Sequence, residues 1–202
     1  MAKPYEPTLI GLYEFDQTTS ALQKSIRRSL EYESCWWGFI IHQSGYGQYL
    51  WRRLSIIAAE DCGMGNPQAL ILVSALQQSW LLLHKHNKEP SLDKFLLCTQ
   101  AILYLCRSPK SREADSLANL IEENFKMGKR LEIPTYALDP HCSVGKERWG
   151  RFSDKNDGKE KLRLDMWFST WAYIEPKAYE DKWEAELKEI WYGKVKEGKK
   201  HK

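Results

Sequence analysis

The spacing of apolar residues along the first 130 positions limits this chain more than any other feature. Leu50, Leu54 and Ile57 recur four and three residues apart, as residues on one face of a helix do. No segment alternates convincingly between apolar and polar residues with period two, which is the pattern of a half-buried strand. The spacing therefore predicts an all-α fold, a bundle of about six helices joined by short loops.

Capping and turn residues set the expected limits of these helices. They are predicted over 21–30, 32–42, 46–61, 67–84, 91–106 and 111–127. Thr18, Thr19 and Ser20 offer oxygens that can cap the first helix, and Ser91 and Ser111 are expected to cap the last two. The fourth helix is apolar over most of its surface, which predicts burial on several sides.

The last third of the chain has a different composition. Five of the nine tryptophans lie there: Trp149, Trp167, Trp171, Trp183 and Trp191. Residues 134–157 are predicted to be irregular, 162–172 and 176–192 to be helical, and the tail from Gly193 to be frayed. The predicted organisation is an arm over 1–17, a helical domain over 18–133, and a loop with a Trp-rich helical extension and basic tail over 134–202.

The bulk composition excludes several classes of protein. The longest apolar runs fall far short of the roughly 20 residues that cross a bilayer. The first residues lack the apolar segment of a signal peptide, so we expect a cytoplasmic protein without membrane contact. The five cysteines include no Cys-x-x-Cys pair, which predicts reduced thiols and no zinc site.

The sequence motifs of common enzymes are absent. The nearest match to a phosphate-binding loop is Gly145-Lys146-Glu147, where glutamate replaces the hydroxyl residue that would hold magnesium. Gly63 and Gly65 lie between two predicted helices and not after a strand, so they do not form a dinucleotide-binding turn. We therefore expect no cofactor and no enzymatic activity.

Clusters of basic residues are the candidates for contact with nucleic acid, because phosphate binding needs grouped cations. The candidate DNA-binding residues are Lys24, Arg27, Arg28, Arg52, Arg53 and Lys110. Glu60 and Asp61 end the third helix near Arg52 and Arg53, and they are more typical of a structural ion-pair network than of paired catalytic acids.

A second group of polar residues stands at the start of the last third. Asp139 and His141 share a predicted loop, and Arg148 and Arg151 follow them. An aspartate beside a histidine could do acid–base work or bind a metal, although a loop in which the histidine only packs is the more common arrangement. No metal site is predicted at His84 and His86, which are two positions apart and do not share a helix face.

Three blocks of sequence together resemble a known family. The first is Ser-Ala-Leu-Gln-Lys-Ser-Ile-Arg-Arg-Ser at 20–29, which precedes an aromatic helix containing Trp36 and Trp37. The second, at 52–70, contains Glu60-Asp61, Gly63 and Pro67, with one residue fewer before Pro67 than the longest form of the pattern. The third, at 100–111, ends in Ser-Pro-Lys-Ser. In this order they are similar to the carboxy-terminal half of the RarA/MgsA replication-associated recombination ATPases.

The resemblance covers roughly 15–127 and implies several properties. It implies an all-α domain similar to the clamp-loader collar, self-association with a tetramer favoured, and a role with DNA at stalled replication forks. It marks a structural motif made of Glu60, Asp61, Gly63, Pro67, Pro109 and Ser111. It carries over no ATPase residue, and from about Leu138 onward we expect this chain to depart from the family.

Three functions remain open at the level of sequence. The first is a non-enzymatic, oligomerising helical protein of replication or recombination that binds DNA. The second is an adaptor that recruits a separate AAA+ ATPase or polymerase without touching DNA. The third is an enzyme that uses the loop of Asp139 and His141.

Overall fold

The chain forms two compact units, Met1–Lys129 (unit 1) and Arg130–Lys202 (unit 2). The computed structural model describes residues 7–175, 177 and 183–198, with only the backbone for 196–198. Within these residues all regular structure is helical, apart from an isolated antiparallel bridge between Thr8 and Glu14. The predicted all-α fold is confirmed. None of the described helices is both long and apolar enough to span a membrane.

The described residues of unit 1 form six α-helices. They are α1 (Phe15–Arg27), α2 (Glu31–Ile41), α3 (Gly47–Ile57), α4 (Gln68–His86), α5 (Leu92–Arg107) and α6 (Glu113–Lys126). Short π-helical turns follow α2 at His42–Tyr46 and α3 at Ala58–Cys62, and 3-10 turns lie at Ile10–Leu12 and Gly63–Gly65. The helix number and order agree with the prediction for this part of the chain.

The core of unit 1 is built by α1 to α5. Each contributes at least one side chain with almost no exposure, for example Leu22, Ile41, Leu54, Trp80 and Ile102. Burial of this much apolar surface is the main stabilising contribution to the fold. Helix α6 contributes no buried residue.

The start of the first helix was predicted too late. Helix α1 begins at Phe15, so that three residues assigned to the arm are helical. The hydroxyls of Thr18 and Thr19 donate to the carbonyls of Glu14 and Phe15, at 2.7 and 2.8 Å, inside the helix. A threonine hydroxyl can donate to a carbonyl of the preceding turn or accept from an amide as a helix cap. The sequence alone does not tell which of these two arrangements is formed.

Two other predictions for unit 1 were partly wrong. The segment 46–61 is not one α-helix, because it changes to a π-helical turn after Ile57. Helix α4 buries only Ala69, Val73 and Trp80, whereas Ile71 is 70% exposed. An all-round apolar surface predicts burial on several sides of a helix, whereas the buried residues of α4 within unit 1 all lie on one face.

The serines predicted to cap the fifth and sixth helices take different positions in the structure. Ser91 caps α5 as expected, and its hydroxyl accepts a hydrogen bond from the Lys94 amide at 3.5 Å. Helix α6 begins two residues after Ser111, whose hydroxyl accepts from the Glu113 amide at 3.4 Å, while Arg112 occupies the cap position.

In the part of unit 2 that the structure describes there are three α-helices: α7 (Ser143–Trp149), α8 (Glu160–Met166) and α9 (Glu184–Gly198). Helix α7 lies in the stretch 134–157 that was predicted to be irregular, and α9 continues five residues beyond Gly193, where fraying was expected. A thiol cap explains the first error, because the Cys142 Sγ accepts from the Gly145 amide at 3.2 Å. The start of the predicted helix over 176–192 falls largely outside the described residues.

The five cysteines are free thiols. Cys62, Cys98 and Cys106 are buried in unit 1, and Cys35 is half-buried. Burial raises the pKa of the Cys35 thiol to about 11 and also raises the pKa of Cys98. These thiols therefore act as small apolar groups of the core.

Candidate functional site

A buried carboxylate joins the first helix of unit 1 to the turn after α3. The Asp61 side chain is fully buried, and its Oδ1 accepts from the Arg27 Nε at 2.7 Å. Its Oδ2 accepts from the Gln23 Nε2 at 3.1 Å. Arg27 also pairs with Glu60, whose Oε1 lies 3.2 Å from the Arg27 Nη2. Both oxygens of the buried carboxylate are thus satisfied, as burial of a charge requires.

Two further arginines extend this network. The Arg112 Nη2 lies 3.2 Å from the Glu60 Oε1, and the same guanidinium also pairs with Asp115. The Arg53 Nη2 donates to the Gln23 Oε1. The arginine–carboxylate network therefore connects α1, α3 and the start of α6 around one buried aspartate, and we define it as Gln23, Arg27, Arg53, Glu60, Asp61 and Arg112.

Close backbone packing brings the loop before α6 onto this network. The Ser111 amide donates to the Asp61 carbonyl at 2.9 Å. Gly63 has a φ of 44°, and a Cβ there would lie 2.9 Å from the Ser111 carbonyl oxygen. A Cβ on Gly65 would lie 3.0 Å from the carbonyl oxygen of Pro109. The residues that the resemblance marked as a structural motif thus meet at one junction, except Pro67, which occupies the cap position before α4.

Lys110 was predicted to bind DNA, but its ammonium is directed at the end of α5. The Nζ donates to the carbonyls of Leu105, Cys106 and Ser108 at 2.7, 3.0 and 2.7 Å. These are the carbonyls that a helix end leaves without partners, and a lysine there also complements the helix dipole. The position of Lys110 is accounted for by helix capping.

The six predicted DNA contacts divide into two groups. Arg27 and Arg53 belong to the arginine–carboxylate network, and Lys110 caps α5. Lys24, Arg28 and Arg52 are exposed, and no carboxylate among the described residues pairs with them. The Arg28 Nη1 donates only to the Lys24 carbonyl, at 3.0 Å. These three residues, named here the basic patch, are the ones that remain available to a phosphate.

In unit 2 the predicted Asp139–His141 pair is formed. The His141 Nδ1 lies 2.9 Å from the Asp139 Oδ2, and the His141 amide donates to the Asp139 Oδ1 at 2.9 Å. The imidazole is 66% exposed. Arg148 lies over the Trp149 ring at 5.2 Å, and the Arg151 amide donates to Asp154, so neither arginine side chain completes the pair. In the described part of the chain no group of three or more His, Cys, Asp or Glu residues could hold a metal.

An arginine that no sequence pattern indicated organises unit 2. Arg163 is buried, and its guanidinium donates to Asp157 at 2.6 Å, to the Trp149 carbonyl at 2.9 Å and to the Asp154 carbonyl at 2.7 Å. The hydrogen bonds from Arg163 hold the pKa of Asp157 below its ordinary value. The segment 134–157 was predicted to be irregular, but nothing in its sequence indicates the arginine that residues 154–157 surround.

These features place the chain in a class of protein: an all-α domain in which charged side chains join helices to one another and whose sequence carries no nucleotide-binding motif. A comparison with known protein families then identifies the family. The family described as "MgsA AAA+ ATPase C terminal" matches residues 33–190, and the chain belongs to this family.

The relatives share this region at low identity. The chain is 27% identical over 185 residues to "Replication-associated recombination protein A" of Haemophilus influenzae. The aligned residues cover 88% of this chain and 36% of that protein. It is 28% identical over 180 residues to the protein of the same name from Bacillus subtilis, covering 85% and 41%. The chain thus spans about two fifths of the length of these relatives.

The family match corrects one expectation. We expected the chain to depart from the family at about Leu138, yet the match continues to residue 190 and so includes most of unit 2. The three quoted blocks end at 111, so they gave no indication that unit 2 belongs to the family region. The Asp139–His141 pair and Arg163 therefore lie inside the family region.

Proposed function

We propose that this chain is a non-enzymatic helical domain that self-associates and contacts DNA during replication or recombination. Membership of the MgsA carboxy-terminal family carries the proposal, supported by the relatives' names. Two structural features give it a physical basis: exposed apolar side chains on α4 and α6, and the basic patch of Lys24, Arg28 and Arg52. Each can be tested by itself.

Self-association is supported by the exposed apolar surface of unit 1. On α6 it forms a stripe at helical spacing, made of Leu117, Leu120 and Ile121. On α4 it includes Leu70, Ile71, Leu82 and Leu83. Contiguous apolar surface of this kind marks interaction sites, and obligate homo-oligomers use it most. A tetramer is the arrangement that the resemblance favours.

The test of self-association uses helix α6, because it buries no side chain and tolerates substitution without loss of the core. The double variant Leu117→Glu/Ile121→Glu should sediment as a smaller species than the unaltered chain. The control variant Asn119→Glu adds a negative charge on the opposite face of α6 and should leave the assembly unchanged. If the unaltered chain sediments as a monomer in sedimentation velocity, the proposal of self-association is overturned.

DNA contact is supported by the three exposed cations of the basic patch, Lys24, Arg28 and Arg52. Changing all three to Gln should weaken binding to a labelled DNA duplex and reduce the slope of log affinity against log salt by about 3. The control is Lys85→Gln on α4, an exposed lysine outside the patch, which should bind as the unaltered chain does. Absence of duplex binding at low salt would contradict DNA contact.

The adaptor hypothesis is a second candidate, and the same exposed apolar surface favours it. A separate AAA+ ATPase could cover α4 and α6 in place of a second copy of this chain. Copurification of an ATPase that survives nuclease treatment, and that is lost in Leu117→Glu/Ile121→Glu, would support the adaptor. Loss of that partner on nuclease treatment would count against it.

A further inference from the structure

The described residues of unit 2 place most of its aromatic rings in one continuous cluster. Ring centroids are 5.5 Å apart for Phe152 and Trp167, 6.0 Å for Phe152 and Trp171, and 5.9 Å for Trp149 and Trp171. None of these rings is fully buried, and Phe152 is 38% exposed. Flat apolar faces that are held in place and remain accessible can stack with nucleobases.

His141 adds a polar ring to the edge of this cluster. Its ring centroid lies 5.1 Å from that of Phe152 and 6.2 Å from that of Trp167. The hydrogen bond from Nδ1 to Asp139 fixes the imidazole and leaves Nε2 for a partner outside the chain. An exposed imidazole held in this way can stack with a base and also bond to it.

Exposed cations accompany the rings. Lys146 and Arg148 lie on α7 and Arg151 lies just after it, and no carboxylate among the described residues pairs with their side chains. Arg148 already lies over the Trp149 ring, at 5.2 Å. A guanidinium beside an aromatic ring can contact a phosphate while the ring contacts the attached base.

The carboxylates of the same segment are bonded within unit 2. Asp139, Asp154, Asp157, Glu160 and Asp165 each accept a hydrogen bond from another residue of this unit. Of the described carboxylates between 139 and 165, Glu147 alone accepts no such bond. Over 146–151 the exposed charged side chains are three cations, Lys146, Arg148 and Arg151, and one carboxylate, Glu147. This arrangement favours a polyanion over a neutral, proline-rich peptide as the partner of the rings.

We propose that the surface formed by His141, Trp149, Phe152, Trp167 and Trp171, with Arg148 and Arg151, binds single-stranded nucleic acid by stacking its bases on these rings. The bases of a duplex are already stacked on one another, so this surface selects unpaired strands. The inference deepens the proposed DNA contact and rests on it for the biological setting, but it uses residues separate from the basic patch.

The experiment compares two probes by fluorescence anisotropy, a labelled oligo-dT of about 20 nucleotides and a duplex of the same length. Phe152→Ala and Phe152→Leu should each weaken oligo-dT binding roughly tenfold and leave duplex binding unchanged. Arg148→Gln/Arg151→Gln should weaken oligo-dT binding and lower its salt dependence. Tyr32→Ala and Lys85→Gln, an exposed aromatic and an exposed cation of unit 1, are the matched controls.

The outcomes separate this inference from the proposed function. Oligo-dT binding that depends on Phe152, without duplex binding, supports the stacking surface and contradicts the role of the basic patch. No oligo-dT binding by the unaltered chain overturns the stacking surface, and so does full binding by a folded Phe152→Leu variant. Equal losses for both probes in Phe152→Leu also overturn it, because they indicate a general structural effect. Circular dichroism establishes that each variant is folded.

Discussion

At the scale of single residues, unit 1 depends on a few polar side chains that are buried with their partners. Asp61 has hydrogen bonds to both carboxylate oxygens, and Lys94 donates to the carbonyls of Asn87 and Glu89. His42 differs from these two, because it is 2% exposed and its Nδ1 has no hydrogen-bond partner among the described residues. Substitution and pH should therefore affect these residues in different ways.

Removal of Arg27 should destabilise unit 1 because it leaves the buried Asp61 carboxylate without its nearest cation. We expect Arg27→Ala to lower the free energy of unfolding by about 3 kcal/mol. Arg28→Ala, the exposed neighbour, should change it by less than about 0.5 kcal/mol. Urea denaturation followed by circular dichroism measures both, and equal effects of the two variants would contradict the role of the network.

His42 should make the fold sensitive to acid. Its pKa is lowered from 6.5 to about 4 by burial first, and then by Lys94 and His84. Between these pH values the unfolded chain binds a proton that the folded chain does not. The stabilisation is therefore complete above pH 6.5 and is lost as the pH falls toward 4, by about 3 kcal/mol in total.

The comparison of urea denaturation at pH 7 and pH 5 tests this expectation. His42→Gln removes the titrating group and should reduce the difference between the two pH values. His86→Gln, at an exposed histidine of the same region, should leave the difference unchanged. A pH dependence that is identical in both variants would show that His42 is not its source.

At the scale of elements, apolar spacing determined which segments of unit 1 are helical but not how they end. The spacing of Leu50, Leu54 and Ile57 was sufficient to predict α3. Apolar residues that recur with the period of a helix mark the face that packs against the core. The π-helical turn at Ala58–Cys62 was not predictable, because its conformation depends on where Asp61 meets Arg27, a residue 34 positions away. Helix α7 of unit 2 was also missed, because its cap is a thiol and not a hydroxyl.

Two glycines of unit 2 should respond in opposite ways to alanine. Gly150 has φ 75° and ψ −179°, and a Cβ there would lie 2.9 Å from the Asp157 Oδ2 and 3.0 Å from the Arg163 Nη1. Gly150→Ala should therefore destabilise unit 2 by roughly 2 kcal/mol. Gly193 lies inside α9 with open space around its Cα, so Gly193→Ala should stabilise this helix by about 0.5–1 kcal/mol.

Thermal unfolding followed by tryptophan fluorescence measures both changes. Opposite shifts of the transition midpoint are expected. A Gly150→Ala variant as stable as the unaltered chain would show that the loop around Arg163 is not packed as described.

At the scale of the whole molecule, the two units differ in how they are stabilised. Every buried apolar side chain of the described core lies between Leu9 and Cys106, in unit 1. Unit 2 relies on partly exposed aromatic rings and on buried Arg163. The fold class and the six helices of unit 1 were predictable because apolar spacing is a local signal. The division of the basic residues into paired and exposed ones was not predictable. The spacing of lysines and arginines along the chain does not indicate which of them meets a distant partner such as Asp61.

A shortened chain that ends at Lys129 should fold without unit 2, because it keeps the complete apolar core. We expect a cooperative urea transition and helical circular dichroism. The network remains intact in it, so Arg27→Ala should destabilise the shortened chain as much as the full one. A shortened chain without a cooperative transition would contradict the independence of unit 1.

The burial of the cysteines has a practical consequence. A thiol with a pKa of about 11, as at Cys35, is ionised in about one molecule in ten thousand at pH 7, and only the thiolate reacts quickly with maleimides. The buried thiols of unit 1 should thus remain unlabelled in the native protein. With Cys142 replaced by serine, a single cysteine introduced on α6 could carry a dye, and the assembly could be followed by energy transfer between copies.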